Sequence, residues 1–206
     1  MPAINQRNCQ PCTACCEGWL DVQTPVAKAH LGKACTHCKS QGCAIYEDRP
    51  QDPCQSFHCA WRQEGSLLPH AMRPDLSGVI VMTDKLQWQG EDVIVAVAAG
   101  SRIPARTFHW LYSLAQLTAR KLVAVEHQLN ADGFSGEFNM HTNGSEDFRQ
   151  VMVTYFAKQG FVSTFTNAKP FDLEHLSASA SATVASPKKP APHWTKLASK
   201  PPHLSA

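Results

Sequence analysis

Nine cysteines crowd into the first part of this chain: Cys9, Cys12, Cys15, Cys16, Cys35, Cys38, Cys43, Cys54 and Cys59. None follows Cys59, although the chain runs on to residue 206. Cysteines that serve only as small core residues are scattered, so this crowding points to chemistry. A secreted domain would use it as a disulfide framework. In the cytosol, where thiols stay reduced, the same density reads as metal binding. The opening run Met1-Pro2-Ala3-Ile4-Asn5-Gln6-Arg7-Asn8 lacks the apolar core of a signal peptide, and the cysteine count is odd. Both observations favour metal over disulfide.

The spacing supports that reading. In Cys9-x-x-Cys12-x-x-Cys15-Cys16, each C-x-x-C pair lets two thiolates converge on one ion while the short loop turns backbone N–H groups toward the sulfurs. Two overlapping pairs and an adjacent cysteine exceed what one tetrahedral ion takes from one loop. In an extended chain the side chains of Cys15 and Cys16 diverge, so they serve two centres or are one ligand and one spare. Cys35-x-x-Cys38, then Gly42-Cys43, then Cys54 and Cys59 supply a second group of four or five. Two all-cysteine centres, or one with redundancy, both fit this count. Gly42 gives the chain a conformation closed to other residues, and Pro50 and Pro53 stiffen the loop toward Cys54.

All-thiolate sites are soft and suit zinc, iron–sulfur clusters or Cu(I) rather than magnesium or calcium. Zinc would sit tetrahedrally with Zn–S of about 2.3 Å. A [4Fe–4S] cluster takes four cysteines as well. Spacing and charge do not separate the two, since four thiolates leave the same net charge around either. Lys28, Lys33, Lys39, Arg49 and Arg62 are placed to offset it. His37 and His58 lie among the cysteines as alternative zinc ligands, with enough thiolates present to do without them. Tyr46, Phe57, Trp61 and Trp19 read as an apolar shell that keeps water from a metal. His109, His127 and His141 are isolated, and core or surface roles are expected of them.

The series from Cys9 through Cys35 leads to Gly42-Cys43-Ala44-Ile45-Tyr46-Glu47-Asp48-Arg49-Pro50 and Cys54-Gln55-Ser56-Phe57-His58-Cys59-Ala60-Trp61. It resembles the YkgJ-type cysteine-cluster family, a family of zinc- or iron-chelating domains. Arg73-Pro74 followed by Gly78-Val79 is similar to what often follows in bacterial members. The resemblance covers residues 9 to 82. It implies a bacterial cytoplasmic protein that binds zinc or iron through eight cysteines, here Cys9, Cys12, Cys15, Cys16, Cys35, Cys43, Cys54 and Cys59. Cys38 then falls at a non-ligand position. Gln55 stands where arginine is common in the family, which removes an anion contact there. Flagellin lysine N-methylases resemble the same family in their cysteines, but this chain is short for such an enzyme and has no glycine-rich nucleotide loop.

The elements that position the cysteines divide the chain in three. Residues 9–72 form a cysteine-cluster module with little apolar periodicity, ordered by something other than a large core; metal binding supplies such ordering energy. Residues 73–170 read as an α+β unit. Gly78–Met82 and Asp92–Val97 are paired strands, with turns around Leu86-Gln87-Trp88. A helix follows with Pro104 in its first turn and Phe108, Leu111, Tyr112, Ala115, Ala119 and Leu122 on its apolar face. Val123-Ala124-Val125, an Asp132-Gly133 turn and a strand through Phe138 and Met140 come next. Ser145 caps a last helix whose Phe148, Met152, Tyr155 and Phe156 face inward, with Gly160 as its stop. Residues 177–206, rich in Ser, Ala, Pro and Lys, form a disordered tail.

The formal net charge of +2 provides no strong field for nucleic acid, and no stretch is long and apolar enough to span a bilayer. The expectation is a cytoplasmic α+β protein whose partner is a metal ion, zinc or iron, in the iron case as a [4Fe–4S] cluster. Two further readings compete with a plain metal-holding role. One is an iron–sulfur oxidoreductase or protein methyltransferase with its substrate site between the two regions. The other is a zinc-organised module that binds a protein partner. Asp84, Glu91, Asp92 and Glu137 form no acid–base pair, and no nucleophile motif is present.

Overall fold

A computed structural model describes residues 7–20, 22–23, 28–29, 31–131, 133–158, 164–167 and 203–204. The expected Asp132 turn residue, the Gly160 stop and the tail, apart from its residues 203–204, lie outside these. The architecture is α+β. A five-stranded sheet is ordered β11-β10-β9-β8-β5. Its strands are β5 (Val79–Met82), β8 (Ile94–Ala98), β9 (Leu122–Asn130), β10 (Gly133–Asn143) and β11 (Thr164–Asn167).

The two apolar runs pair as expected. β5 and β8 are antiparallel, with Val79 opposite Ala98 and Met82 opposite Val95. Every residue of both strands is buried. A strand covered on both faces reads as a continuous apolar run instead of alternating, which is why these two are so legible in the sequence. Between them the hairpin of β6 (Gln87–Trp88) and β7 (Glu91–Asp92) turns through Gln89 and Gly90, with φ of 51° and 81°. Two successive positive φ values match the strand twist, and glycine bears the second without strain.

Helix α2 (Ala105–Leu117) starts directly after Pro104 and crosses from β8 to the parallel strand β9. Thr107, Phe108, Leu111, Tyr112 and Ala115 are its buried face. That face ends sooner than the apolar spacing predicts. Ala119 takes a φ of 53° beyond the helix, and Leu122 opens β9. Helix α3 (Glu146–Lys158) links β10 to the parallel strand β11. Ser145 caps it, its Oγ accepting the Phe148 N–H at 3.3 Å. Phe148, Met152 and Phe156 are buried and Tyr155 is half-buried.

The two helices cover opposite faces. Phe108 of α2 meets His141 edge-on at 4.8 Å, whereas Phe156 of α3 lies 6.0 Å from Phe138. Positions 138 and 141 point to opposite sides of β10 because side chains alternate along a strand. β9 and β10 run antiparallel, so two crossovers of the same hand in succession put their helices on opposite faces.

The cysteine segment carries only short elements: β1 (Val22–Gln23) with β2 (Lys28–Ala29), β3 (Cys38–Lys39) with β4 (Gly42–Cys43), and the one-turn α1 (Pro74–Ser77). Its apolar residues are not a separate core. Ala14, Leu20, Leu31, Ala60, Trp61, Leu68 and Met72 belong to the same buried cluster as the sheet residues. Residues His203–Leu204 form β12, parallel to β6. Among the described residues no helix is long and apolar enough to cross a membrane.

Candidate metal centre

All nine cysteines are free thiols; Cys59 is buried and the rest are half-buried. Their surroundings divide them into two sets. Burial pushes the Cys15 thiol well above the ordinary cysteine range, and the sulfurs of Cys59, Cys16, Cys12 and Cys9 push it the same way. Cys12 is pushed up to about 11 by burial, with the Asp75 carboxylate and Cys59 acting in the same direction. Burial and Cys9 raise Cys59. Cys9, Cys12 and Cys59 thus all lie near Cys15, and Cys59 lies near both Cys9 and Cys12.

The second set gathers around Cys16. Burial pushes its thiol up to about 12, followed by Cys38, Cys35, Cys54 and Cys43. Cys54 is raised by burial, Cys35 and Cys43. Cys38 is raised by burial, then by Glu17, Cys35 and Cys43. Between the two sets, Cys16 adds to the rise at its chain neighbour Cys15. These consecutive residues lie in a short 3-10 turn, Ala14–Cys16, where the Cys16 N–H donates to the Thr13 carbonyl at 2.7 Å.

The turns that bring the thiols together are backbone devices. Cys35 donates its N–H to the Cys16 carbonyl at 2.8 Å, and Cys38 donates to the Cys35 carbonyl at 2.9 Å. The β3–β4 hairpin sets Cys38 opposite Cys43. Gly42 has a φ of 127°, and a Cβ there would come 3.2 Å from Gln10 Cγ. That makes it the glycine-only position anticipated at the hairpin.

Several donors already face the sulfurs. The backbone N–H groups of Trp61 and Arg62 point at Cys59, and those of Ala14 and Asp75 at Cys12. Such bonds favour the thiolate and oppose the effect of burial. The Arg49 guanidinium favours the charged form of Cys54, and that of Arg62 the charged form of Cys59. Both guanidinium groups hold a buried nitrogen, Nε of Arg49 and one terminal nitrogen of Arg62, with no hydrogen-bond partner. A guanidinium nitrogen short of an acceptor suits a neighbouring anionic thiolate centre.

The expected aromatic shell is present in part. Trp61 is buried, and Trp19 and Phe57 pack against the core cluster together with Cys12 and Cys15. Tyr46 instead carries Arg49 over its ring at 3.5 Å and donates its hydroxyl to Asn8. Gln55 spends its amide on the Arg49 carbonyl at 2.6 Å. His58 Nε2 lies 3.1 Å from the Gln55 carbonyl, a loop contact rather than a place among the sulfurs. His109 is exposed, and His127 and His141 are buried in strands of the sheet.

Asp75 is a participant that the motif spacing does not reveal. Burial alone would raise its carboxyl, but Arg73, at 2.6 and 2.8 Å, holds it below the usual range, and the Cys12 thiol adds a further hydrogen bond. The available signal is Pro74, which opens the short helix α1 and so places the Asp75 carboxylate and N–H at its start.

Among the described residues no three Cys, His, Asp or Glu side chains have donor atoms set as they would stand around an ion. The chemistry of the set nevertheless fits a soft metal: crowded thiols, N–H donors at the sulfurs, and guanidinium nitrogens without a partner beside them. No protein-family model matches this chain, and no match is found among curated proteins or solved structures.

Proposed function

We propose that this protein holds zinc or iron in two all-thiolate centres, one of Cys9, Cys12, Cys15 and Cys59 and one of Cys16, Cys35, Cys43 and Cys54. The observation that carries this reading is the company each of the consecutive thiols keeps: besides Cys16, Cys15 feels Cys59, Cys12 and Cys9, whereas Cys16 feels Cys38, Cys35, Cys54 and Cys43, of which Cys38 is set aside on the family spacing alone. A bound ion would supply folding free energy to a segment poor in regular structure; as an iron–sulfur cluster it would also store an electron.

The chain's own residues prepare the thiolates. The N–H groups of Ala14, Asp75, Trp61 and Arg62 offset part of the burial that keeps the sulfurs protonated. Arg49 and Arg62 balance the negative charge left on each centre. Trp61, Trp19 and Phe57 exclude water, which strengthens every charge interaction within. The role is that of a holder of metal in a reducing, cytoplasmic setting, for structure, storage, delivery or sensing.

The test is anaerobic purification followed by metal and sulfide analysis and electron paramagnetic resonance. Two centres predict about two zinc ions, or about eight irons with matching sulfide, per chain. Protein that is folded, fully reduced and free of metal after such a preparation would sink the reading. Four well-formed disulfides in the native protein would do the same.

A further inference from the structure

Cys38 is the cysteine left outside both proposed ligand sets, yet it lies inside the second group. It shares the short β3–β4 hairpin with Cys43, its direct register partner across the two strands. The Ala44 N–H donates to the His37 carbonyl at 2.8 Å, which marks residues 37 and 44 as a hydrogen-bonded pair. Hydrogen-bonded and non-hydrogen-bonded pairs alternate along an antiparallel ladder, so Cys38 and Cys43 form the non-hydrogen-bonded pair. There the Cα atoms approach to about 4.5 Å and the side chains share one face. A disulfide spans Cα separations of about 4.4–6.8 Å. Cys38 is half-buried, within reach of a small oxidant, and because burial and the neighbouring Glu17 keep its thiol protonated, the reaction runs slowly through its minor thiolate fraction.

We propose that Cys38 is an oxidation site whose disulfide with Cys43 closes the hairpin and withdraws Cys43 from the second centre. The oxidant is a hydroperoxide. The Cys38 thiolate attacks one peroxide oxygen, the O–O bond breaks, and Cys38 becomes a sulfenic acid while the other oxygen leaves as hydroxide and is protonated to water. The Cys43 thiolate then attacks the Cys38 sulfur, the S–O bond breaks, and the second oxygen leaves as water. In sum two thiols and one hydrogen peroxide give one disulfide and two waters, with two electrons passing from sulfur to peroxide. The electron pair that Cys43 offered to a metal is now in the S–S bond, and three sulfurs remain for the second centre. A dithiol reductant reverses the step.

The disulfide is independent of the metal-holding reading; only its consequence, metal release, rests on that reading. The experiment uses the full chain, purified anaerobically and titrated with hydrogen peroxide. Peptides are mapped without reduction, with fragmentation that separates Cys35 from Cys38, while a chromogenic chelator records released metal. The expected result is a Cys38–Cys43 link, release of about half the bound metal and recovery on reduction. In Cys38→Ser and Cys38→Val the link is absent and release slows about tenfold or more. A map linking Cys38 to Cys35 or Cys16, or leaving it a free thiol while other cysteines pair, overturns the proposal. That map is made on the native sequence, so it decides even where a variant fails to fold. A Cys38–Cys43 link in protein that never held metal would uphold the oxidation site and refute the metal centres.

Discussion

Ala60 donates its backbone N–H to the Val81 carbonyl at 2.7 Å, tying the residue after the last cysteine to the outer strand β5. The cysteine segment and the sheet are therefore coupled through backbone as well as through their shared apolar cluster. Stripping the metal should expose this coupling. Amides of residues 9–59 are expected to lose most of their exchange protection, β5 to lose part, and β8, β9 and α2 to keep theirs. Hydrogen exchange with and without a chelator measures it. Uniform loss across both regions would mean that the sheet has no stability of its own.

Removing single thiols should divide them by centre. On the proposed two-centre arrangement, Cys59→Ser and Cys54→Ser are each expected to lose about half of the bound metal, because each would take a ligand from a different site. Cys38→Ser should keep nearly all of it. Metal-to-protein ratios on folded, anaerobically prepared variants provide the comparison. If Cys38→Ser empties a site while Cys43→Ser does not, the Cys35-x-x-Cys38 pair is a metal knuckle in its own right.

The metal-free protein should weaken in alkali. Cys12 and Cys16 are raised from 9.0 to about 11 and about 12, first by burial. A raised thiol pKa means that the folded state holds its proton more tightly than the unfolded one. The stability this contributes is complete below pH 9.0 and is lost as pH rises toward 11–12. Thermal melts of chelator-treated protein should fall over that window. A flat melting temperature across it would contradict the burial of these two sulfurs.

The sheet has its own response to acid. Burial lowers the His127 pKa from 6.5 to about 3, so the folded state keeps this imidazole neutral. That stability is complete above pH 6.5 and is lost as pH falls toward about 3, at about 1 kcal/mol per pH unit. Burial alone would raise Glu126, but His141 and the Ile103 N–H hold it below the usual carboxylate range. Its contribution is present above the ordinary carboxylate pKa and is lost as pH falls through its lowered one. His127→Leu should flatten the first part of the acid unfolding curve, as read by circular dichroism.

Gly144 sits against the first turn of α3. A Cβ at this position would lie 2.5 Å from Phe148 Cδ1, and Phe148 is fully buried. Gly144→Ala must therefore displace a core ring, at a cost of about 1–3 kcal/mol. Denaturant unfolding checks this. A neutral result would mean that the ring has room to rotate.

Much of the sheet was legible in the chain. Val79–Met82 and Ile94–Ala98 announce themselves because burial on both faces makes them unbroken apolar runs. Phe108, Leu111, Tyr112 and Ala115 mark α2 by helical spacing. Spacing could not mark where that helix stops, since Ala119 and Leu122 continue the period while the backbone turns through a positive φ into β9. The cysteine region divides differently. The thiols were identifiable by type and crowding, and so was the special backbone at Gly42. Their assignment to two sets was not, because Cys59 returns to Cys9, Cys12 and Cys15 only through tertiary folding. Asp75 beside Cys12 was hidden for the same reason.

If the two proposed centres fill, the chain order of their sulfurs sets an order of assembly. Cys16, Cys35, Cys43 and Cys54 all lie between Cys15 and Cys59 in the chain, so one site is nested inside the loop that the other must close. Closing the inner site first shortens the slack that the outer one has to gather, an entropic advantage on the order of 1–2 kcal/mol. Loading would then be sequential and cooperative, with the inner ion seated before the outer. During synthesis the outer site waits for Cys59 to leave the ribosome, while the inner four are already free to close.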